Sequence, residues 1–487
     1  MTDSMKKYWI PLTMLWFVLV AASPEPQWTL HTVQPGDTLS KIVRQYLPYT
    51  AAYTKKELVN SIKSINGIDG NLSPGQTIRV PVVWEAPLKP KTVPKAKNFV
   101  AKGVYMNPSS AGTRTILDTG YKLRLNGANT VVFDAKDDLG AITYPSTLKA
   151  KYFPNENYTP NIEELPKMID YLHHMGVHVV ARMVVLKDPI MAKINPEWCI
   201  NREKNWLNPA DPNVQEYLLA VVRELSDSGV DEIQLDYIRY FADTKTTTGM
   251  DGVSRSDTIA GLLKKIHDVT APKGVLLSMD MFGIVIWQRD VDVLVVGQDI
   301  SKLKPYVDII SPMLYPSHFS KGFSGIKNPA DDPYLFVYDG IKRMKALVGD
   351  EVVIRPWLQA FPLHVTKGFG PGYIETQIKA ALDAGGTGWL LWSPENRYNY
   401  SFEAMQNVIK YKPTTKVASI SVKSASHNPQ SKPNVSDANQ QQQPVSAPAN
   451  GVNPPSVDSQ TMVPPEANKQ SSLLIPESMD DTRRQTD

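Results

Sequence analysis

Asp231-Glu232-Ile233-Gln234-Leu235-Asp236-Tyr237-Ile238-Arg239-Tyr240 reads as a short buried strand that delivers a carboxylate, Asp236, to its C-terminal end, with Tyr237 and Arg239 close behind. An acid at the carboxyl end of a parallel strand stands where α/β barrels keep their chemistry. Side chains alternate across a strand, so Gln234 and Asp236 share one face while Ile233 and Leu235 turn to the other.

Seven further apolar, β-rich runs flank this one. They are Val100–Met106, Thr130–Asp134, His178–Val185, Val275–Asp280, Val307–Met313, Val352–Leu358 and Gly388–Trp392. Amphipathic helices are predicted between most of them. One covers 162–175 and stops at Gly176; another has Asp211 as N-cap and Pro212 as first residue; others bury Ile259, Leu262, Leu263 and Ile266, or run from Ile374 to Leu382. The stretch 284–303 is mostly apolar and has room for an extra element. Eight strands alternating with helices over 99–411 predict a (β/α)8 TIM barrel. A doubly wound open sheet competes, but no Gly-rich phosphate loop follows the first strand.

The rest of the chain divides by composition. Lys6 and Lys7 precede an apolar run from Tyr8 to Ala22, and Val20-Ala21-Ala22 offers a cleavage site, so 1–22 is expected to be a signal peptide; an uncleaved anchor is the alternative. The 28–81 segment has the pattern strand–helix–helix–strand, 82–98 is a Pro/Lys linker, and 412–487, poor in large apolar residues, is expected to be disordered. Formal net charge is only +3, from 52 basic and 49 acidic residues, which does not favour nucleic acid. The single cysteine, Cys199, excludes a disulfide framework and a cysteine-built zinc site.

Polar residues gather where the barrel strands stop: Asp134 and Asp138 after the second, Arg182 on the third, Asp236 and Arg239 at the fourth. Asp280 follows on the fifth, Tyr315 and His318 on the sixth, Trp357 and Gln359 on the seventh, and Trp392, Glu395 and Asn396 on the eighth. Adjacent strands lie about 4.8 Å apart, so Asp236 and Asp280 are placed to approach the roughly 5–5.5 Å that suits retaining glycoside hydrolysis. Tyr237, Tyr315, Trp357 and Trp392 offer flat faces for sugar rings, while Arg182, Gln359, His318 and Asn396 offer hydroxyl partners. Salt bridging of Asp280 to Arg182 or Arg239 is the structural alternative. Asp134 and Asp138 divide between sugar binding and loop capping, and Glu395 is the reserve acid. Glu232 is expected at the barrel floor as a buried structural partner, and His173 and His174 on an outward helix face.

Two resemblances add to this reading. "V-x-x-G-D-T-L" at 33–39 and "L-x-P-G-Q-x-I-x-V-P" at 72–81 resemble the LysM module. That resemblance implies binding of N-acetylglucosamine glycans, with Gly36, Asp37, Thr38, Leu39 and Asn66 as groove residues. The barrel motifs at 131–140, 232–239, 278–283, 311–318, 356–361 and 388–394 resemble a family of glycoside hydrolases distantly related to the α-amylase type of barrel. Carried over by position, Asp236 is the nucleophile and Asp280, where that type carries Glu, the acid/base. The Arg of that type two residues before the nucleophile is here Gln234, so Arg182 or Arg239 must supply its charge.

The expected protein is therefore an extracytoplasmic, cell-wall-associated or secreted hydrolase of a cell-wall or amino-sugar polysaccharide. A non-catalytic glycan-binding protein on the same scaffold is the alternative. A zinc deacetylase is disfavoured because His318 stands alone at the barrel top and no His-x-x-x-His occurs. The partners expected are the polysaccharide and, through the LysM segment, peptidoglycan or a similar glycan. No metal, cofactor, nucleic acid or membrane domain after signal cleavage is expected.

Overall fold

Eight parallel strands close on themselves in the computed structural model, which describes residues 28–413 apart from 157, 202–204 and 243–245. The expected signal peptide and nearly all of the expected tail lie outside the described residues. The strands are β1 (Lys102–Met106), β2 (Thr130–Lys136), β3 (His178–Val184), β4 (Glu232–Asp236), β5 (Leu276–Met281), β6 (Ile309–Leu314), β7 (Val353–Ile354 and Trp357–Gln359) and β8 (Trp389–Trp392). Each pairs in parallel with the next, and β8 returns to β1, giving a closed TIM-like barrel.

The seventh strand departs from the continuous run expected. Pro356 has no N–H to give the ladder, so β7 breaks at Arg355-Pro356; Arg355 N still donates to Ile310 O (3.0 Å) and Leu390 N to Pro356 O (2.9 Å). The helix expected at 162–175 spans Leu165–His174, with Pro166 in its first turn, where a missing N–H costs nothing. Asp211 caps Pro212–Asp227 through a 2.7 Å bond to Asn213 N, as its position before the proline predicts. The apolar 284–303 stretch makes a 3-10 turn and two short helices in place of one long one. Among the described residues no helix is long and apolar enough to cross a membrane.

The barrel interior is polar at its floor. Glu232, fully buried, accepts from His178 Nε2 (3.0 Å), Ser278 Oγ and Arg355 Nη2. Burial alone would raise its carboxyl, but the Arg355 guanidinium and His178 outweigh burial and hold it at about 2. His173 departs from the outward placement expected: its Nε2 meets Asp231 Oδ2 at 3.0 Å and its side chain is 13% exposed, whereas that of His174 is 76% exposed.

The chain divides into two compact units after Pro87. Residues 88–98, expected to be linker, are bonded to the floor of the barrel. Thr92 Oγ1 donates to Val230 O (2.9 Å), Val93 N to Asp231 Oδ1 (2.8 Å), Lys97 pairs with Asp308 (3.0 Å), and Phe99 lies 4.9 Å from His178. The prolines keep this strap extended, which leaves its N–H and hydroxyl groups free to bond sideways.

The N-terminal unit pairs Trp28–Thr32 antiparallel with Thr77–Pro81 and packs helices Leu39–Tyr46 and Lys55–Asn66 against them. Ile42, Val43, Leu58, Ile62, Ile78 and Val80 form its core, at the helical and alternating spacing the sequence displays. Thr38 and Thr54 cap the two helices by accepting from Lys41 N and Glu57 N.

Asp231 joins the strap, β3 and the helix before β3, since its carboxylate also accepts from Val179 N at 2.8 Å. Replacing Asp231 with Ala leaves two N–H groups and His173 without an acceptor, and is expected to cost about 2–4 kcal/mol, measured by chemical denaturation.

Candidate functional site

Arg182 stands at the centre of the barrel mouth. It sits on β3 level with Gln234 of β4, and its guanidinium reaches upward to two carboxylates at once. Nη2 and Nε bond Asp236 Oδ2 at 2.5 and 3.1 Å, and Nη1 bonds Asp134 Oδ1. Tyr105 donates to the other Asp134 oxygen at 2.6 Å. Burial disfavours the Arg182 cation, but Asp134 and Asp236 more than restore it, so its proton is held well above the usual range. Burial raises Asp134 in spite of Arg182 and Tyr105.

Asp236 receives a further bond from the next peptide: Tyr237 N donates to Asp236 Oδ1 at 2.7 Å. Tyr237 has φ 52, a left-handed backbone that costs a bulky residue of order 1 kcal/mol or more and clusters at working sites. That turn also redirects the chain. Arg239 leaves the carboxylates and lies 4.6 Å from the Phe282 ring centre and 5.0 Å from that of Trp206.

Asp280 stands beside Asp236, because the register that sets Gln234 against Ser278 and Leu235 against Met279 brings the two acids to one level. Trp357 Nε1 donates to Asp280 Oδ1 at 2.8 Å. Among the described residues its carboxyl forms no ion pair, so the salt bridge weighed as an alternative is replaced by an indole bond. Burial and then the Asp236 charge push Asp280 well above the carboxylate range, against Arg182 and the Trp357 bond. A site with one acid tied to a cation and a neighbouring acid kept protonated can supply a nucleophile and a proton donor together.

The expected sugar platforms are placed unequally. Trp357 is 1% exposed and serves Asp280, so it is no platform. Trp392 stacks on Tyr105 (3.9 Å, 19°) and meets Trp357 edge-on (5.5 Å, 87°), which covers one of its faces. Tyr315 is buried beside them, in ring contact with His318 and Phe361; burial, Asp280 and Asp236 raise its phenol. Tyr237 keeps partial exposure, with the Lys187 ammonium 5.4 Å and the Arg239 guanidinium 5.3 Å from its ring centre.

Several expected hydroxyl partners are occupied by the protein. Gln359 is fully buried; its amide donates to Phe361 O and Leu363 O and accepts from Ser317 N, bracing the loops after β6 and β7. Asn396 accepts from Asn107 N and donates to Tyr105 O, clasping β8 to β1. Glu395 is exposed and pairs with Arg397 at 2.7 Å. Asp138 pairs with Lys187 at 3.3 Å, and burial, then His364, push the His318 imidazole down to about 4.

Sequence reasoning passed over Tyr105, whose inward register on β1 was the available signal. Asp137, just after β2 within the 131–140 motif, is pushed up to about 7 by burial and then by Asp134. Among the described residues no group of three or more His, Cys, Asp or Glu is arranged to hold a metal ion.

In the N-terminal unit, Gly36 (φ 85), Asp37, Thr38 and Leu39 form one turn entering the first helix. Asp37 Oδ2 accepts from Gln34 N (2.8 Å) and meets His31 Nε2 (3.2 Å), while Leu39 packs on the core. Asn66 is spent otherwise: its amide bonds Ile62 O and both backbone groups of Arg79, tying the second helix to the last strand.

Comparison with known proteins places both units. A family model described as "Putative glycosyl hydrolase domain" matches residues 103–398, and a LysM domain model matches 31–81. No curated protein matches the chain. Among solved structures, the glycoside hydrolase domain of PgaB from Bordetella bronchiseptica is 13% identical, with TM-score 0.50, over 64% of this chain and 100% of that one. At that identity the likeness shows the fold alone. A hypothetical protein from Ruminiclostridium thermocellum is 26% identical over 36% of this chain and 96% of that one, TM-score 0.33. The spore cortex-lytic enzyme SleL of Bacillus megaterium is 12% identical over 80% and 88%, TM-score 0.42.

Replacing Arg182 with Met strands two buried carboxylates. The expected cost is about 3–5 kcal/mol at neutral pH. The deficit should narrow as pH falls, because burial already raises Asp134 and losing Arg182 removes what opposes that rise; urea unfolding across the acidic range measures it.

Proposed function

The chain belongs to the glycosyl hydrolase domain family matched over most of its length, and from that premise we propose that it is a retaining glycoside hydrolase with Asp236 as nucleophile and Asp280 as acid/base. The observation that carries the reading is the unequal pair: Asp236 held by the Arg182 cation, and Asp280 beside it, bonded to an indole and pushed up by burial. In the first step the Asp236 carboxylate bonds to the anomeric carbon as the glycosidic C–O bond breaks, and the leaving oxygen takes the Asp280 proton. In the second, water gives a proton to the Asp280 carboxylate while its oxygen bonds the anomeric carbon and releases Asp236. Tyr237 and Tyr315 line the sugar's path.

The LysM domain supports a cell-wall or amino-sugar polysaccharide as the polymer on which the protein works. We assign it N-acetylglucosamine glycan binding through the turn 36–39 and a place outside the cytoplasmic membrane.

Asp280→Asn is expected to lower kcat by about 10²–10⁴-fold, and Asp236→Asn to abolish turnover while glycan binding persists. Reducing-end release from peptidoglycan, chitin and α-glucans is the assay. A wild-type chain inert on every polymer would sink the enzyme reading in favour of a glycan-binding protein. Retention of the full chain on insoluble chitin or peptidoglycan checks the LysM assignment separately.

A further inference from the structure

A carboxylic acid protonates a leaving oxygen only through the oxygen that carries its hydrogen, and Asp280 has two. Trp357 Nε1 donates to Oδ1 at 2.8 Å. An indole N–H donates and never accepts, and the carbonyl oxygen of a protonated carboxyl accepts more strongly than its hydroxyl oxygen, so that bond favours the hydrogen on Oδ2. Trp357 has no freedom to turn away. It is 1% exposed, its ring meets Trp392 edge-on, and its backbone is paired with Met313 on one side and Leu390 on the other.

We propose that Trp357 is a positioning residue for the acid/base: its indole N–H reserves Oδ1 of Asp280 as an acceptor and so confines the transferable proton to Oδ2. This rests on the reading of Asp280 as the acid/base. Once Oδ2 has given up its proton, the same N–H faces a carboxylate, and the bond becomes a stronger, charge-assisted one. The indole therefore acts before and after transfer without touching sugar.

Other groups act on Asp280 through space. Asp236 on β4 opposes its ionisation, Arg182 on β3 and Arg355 at the break in β7 favour it, and Tyr315 just after β6 is itself raised by it. Among the described residues the indole is the only group hydrogen-bonded to the carboxyl. Its removal should shift the pH at which Asp280 ionises upward, because a bond to the charged form is lost.

The test uses the full chain labelled with 15N at tryptophan. The Trp357 indole resonance should move between about pH 3 and 9 with a single titration that Asp280→Asn abolishes. A resonance that stays still, or titrates unchanged in D280N, overturns the proposal. The activity arm is Trp357→Phe, assayed on the polymer cleaved by wild type and on its 2,4-dinitrophenyl glycoside, whose leaving group needs no proton. The expected result is a roughly 10–100-fold lower kcat/KM on the polymer, an alkaline limb moved to higher pH, and a near wild-type kcat/KM on the aryl glycoside, which reports the first step alone. Equal losses on both substrates with an unmoved limb overturn it. Should D280N itself turn over the polymer normally, the acid/base reading fails whatever the indole does; a D280N loss beside a still indole overturns the Trp357 inference alone.

Discussion

One guanidinium shared between two buried carboxylates governs the mouth of this barrel. Arg182 binds Asp134 on one side and Asp236 on the other. Removing three charges from water is costly, and only close, multiply bonded geometry recovers that cost. The geometry is supplied by β2, β3 and β4 in register, by the Tyr105 hydroxyl on Asp134, and by the left-handed Tyr237 peptide on Asp236. With Asp236 committed to Arg182, Asp280 is the acid of the pair whose carboxyl burial pushes up. The contacts then continue around the rim, from Asp280 to Trp357, Trp392, Tyr105 and back to Asp134.

The same logic recurs at the floor, where Glu232 takes Arg355, His178 and Ser278. Glu232 thus has the opposite charge of Arg355 and the Ser278 hydroxyl besides. These two polar layers bracket a middle one containing Gln234 and Ser311, joined at 3.2 Å. A strand slipped by one residue would turn these groups toward the helices and leave them unpaired. The polar interior therefore fixes the register of the barrel more strictly than its apolar outer faces do. The strap at 88–98 belongs to this floor, through Val93 and Asp231.

The strands were legible because period-two alternation and β-branched composition are local properties. All eight appear, with ends shifted by a residue or two and β7 interrupted at Pro356. The strap was not legible: proline- and lysine-rich composition looks the same whether the chain is free or docked, and its partners lie 138 residues away. Trp357 and Gln359 sit at a strand end facing inward, which is the local signature of a sugar contact. That much is local; their depth is not. Both are buried beneath the loops after β6 and β7, which take up the Gln359 amide, while the Trp357 N–H goes to Asp280.

By itself the sequence determined the barrel, the LysM pattern and the presence of Asp236 and Asp280 at the same height on neighbouring strands, since alternation and strand spacing are set by the backbone. It left Arg182 and Arg239 as equal candidates for the balancing charge. Only the tertiary structure decided between them, and the reason lies at Tyr237. The left-handed turn there carries Arg239 away into Trp206 and Phe282, while barrel closure brings Arg182, 54 residues earlier in the chain, onto Asp236.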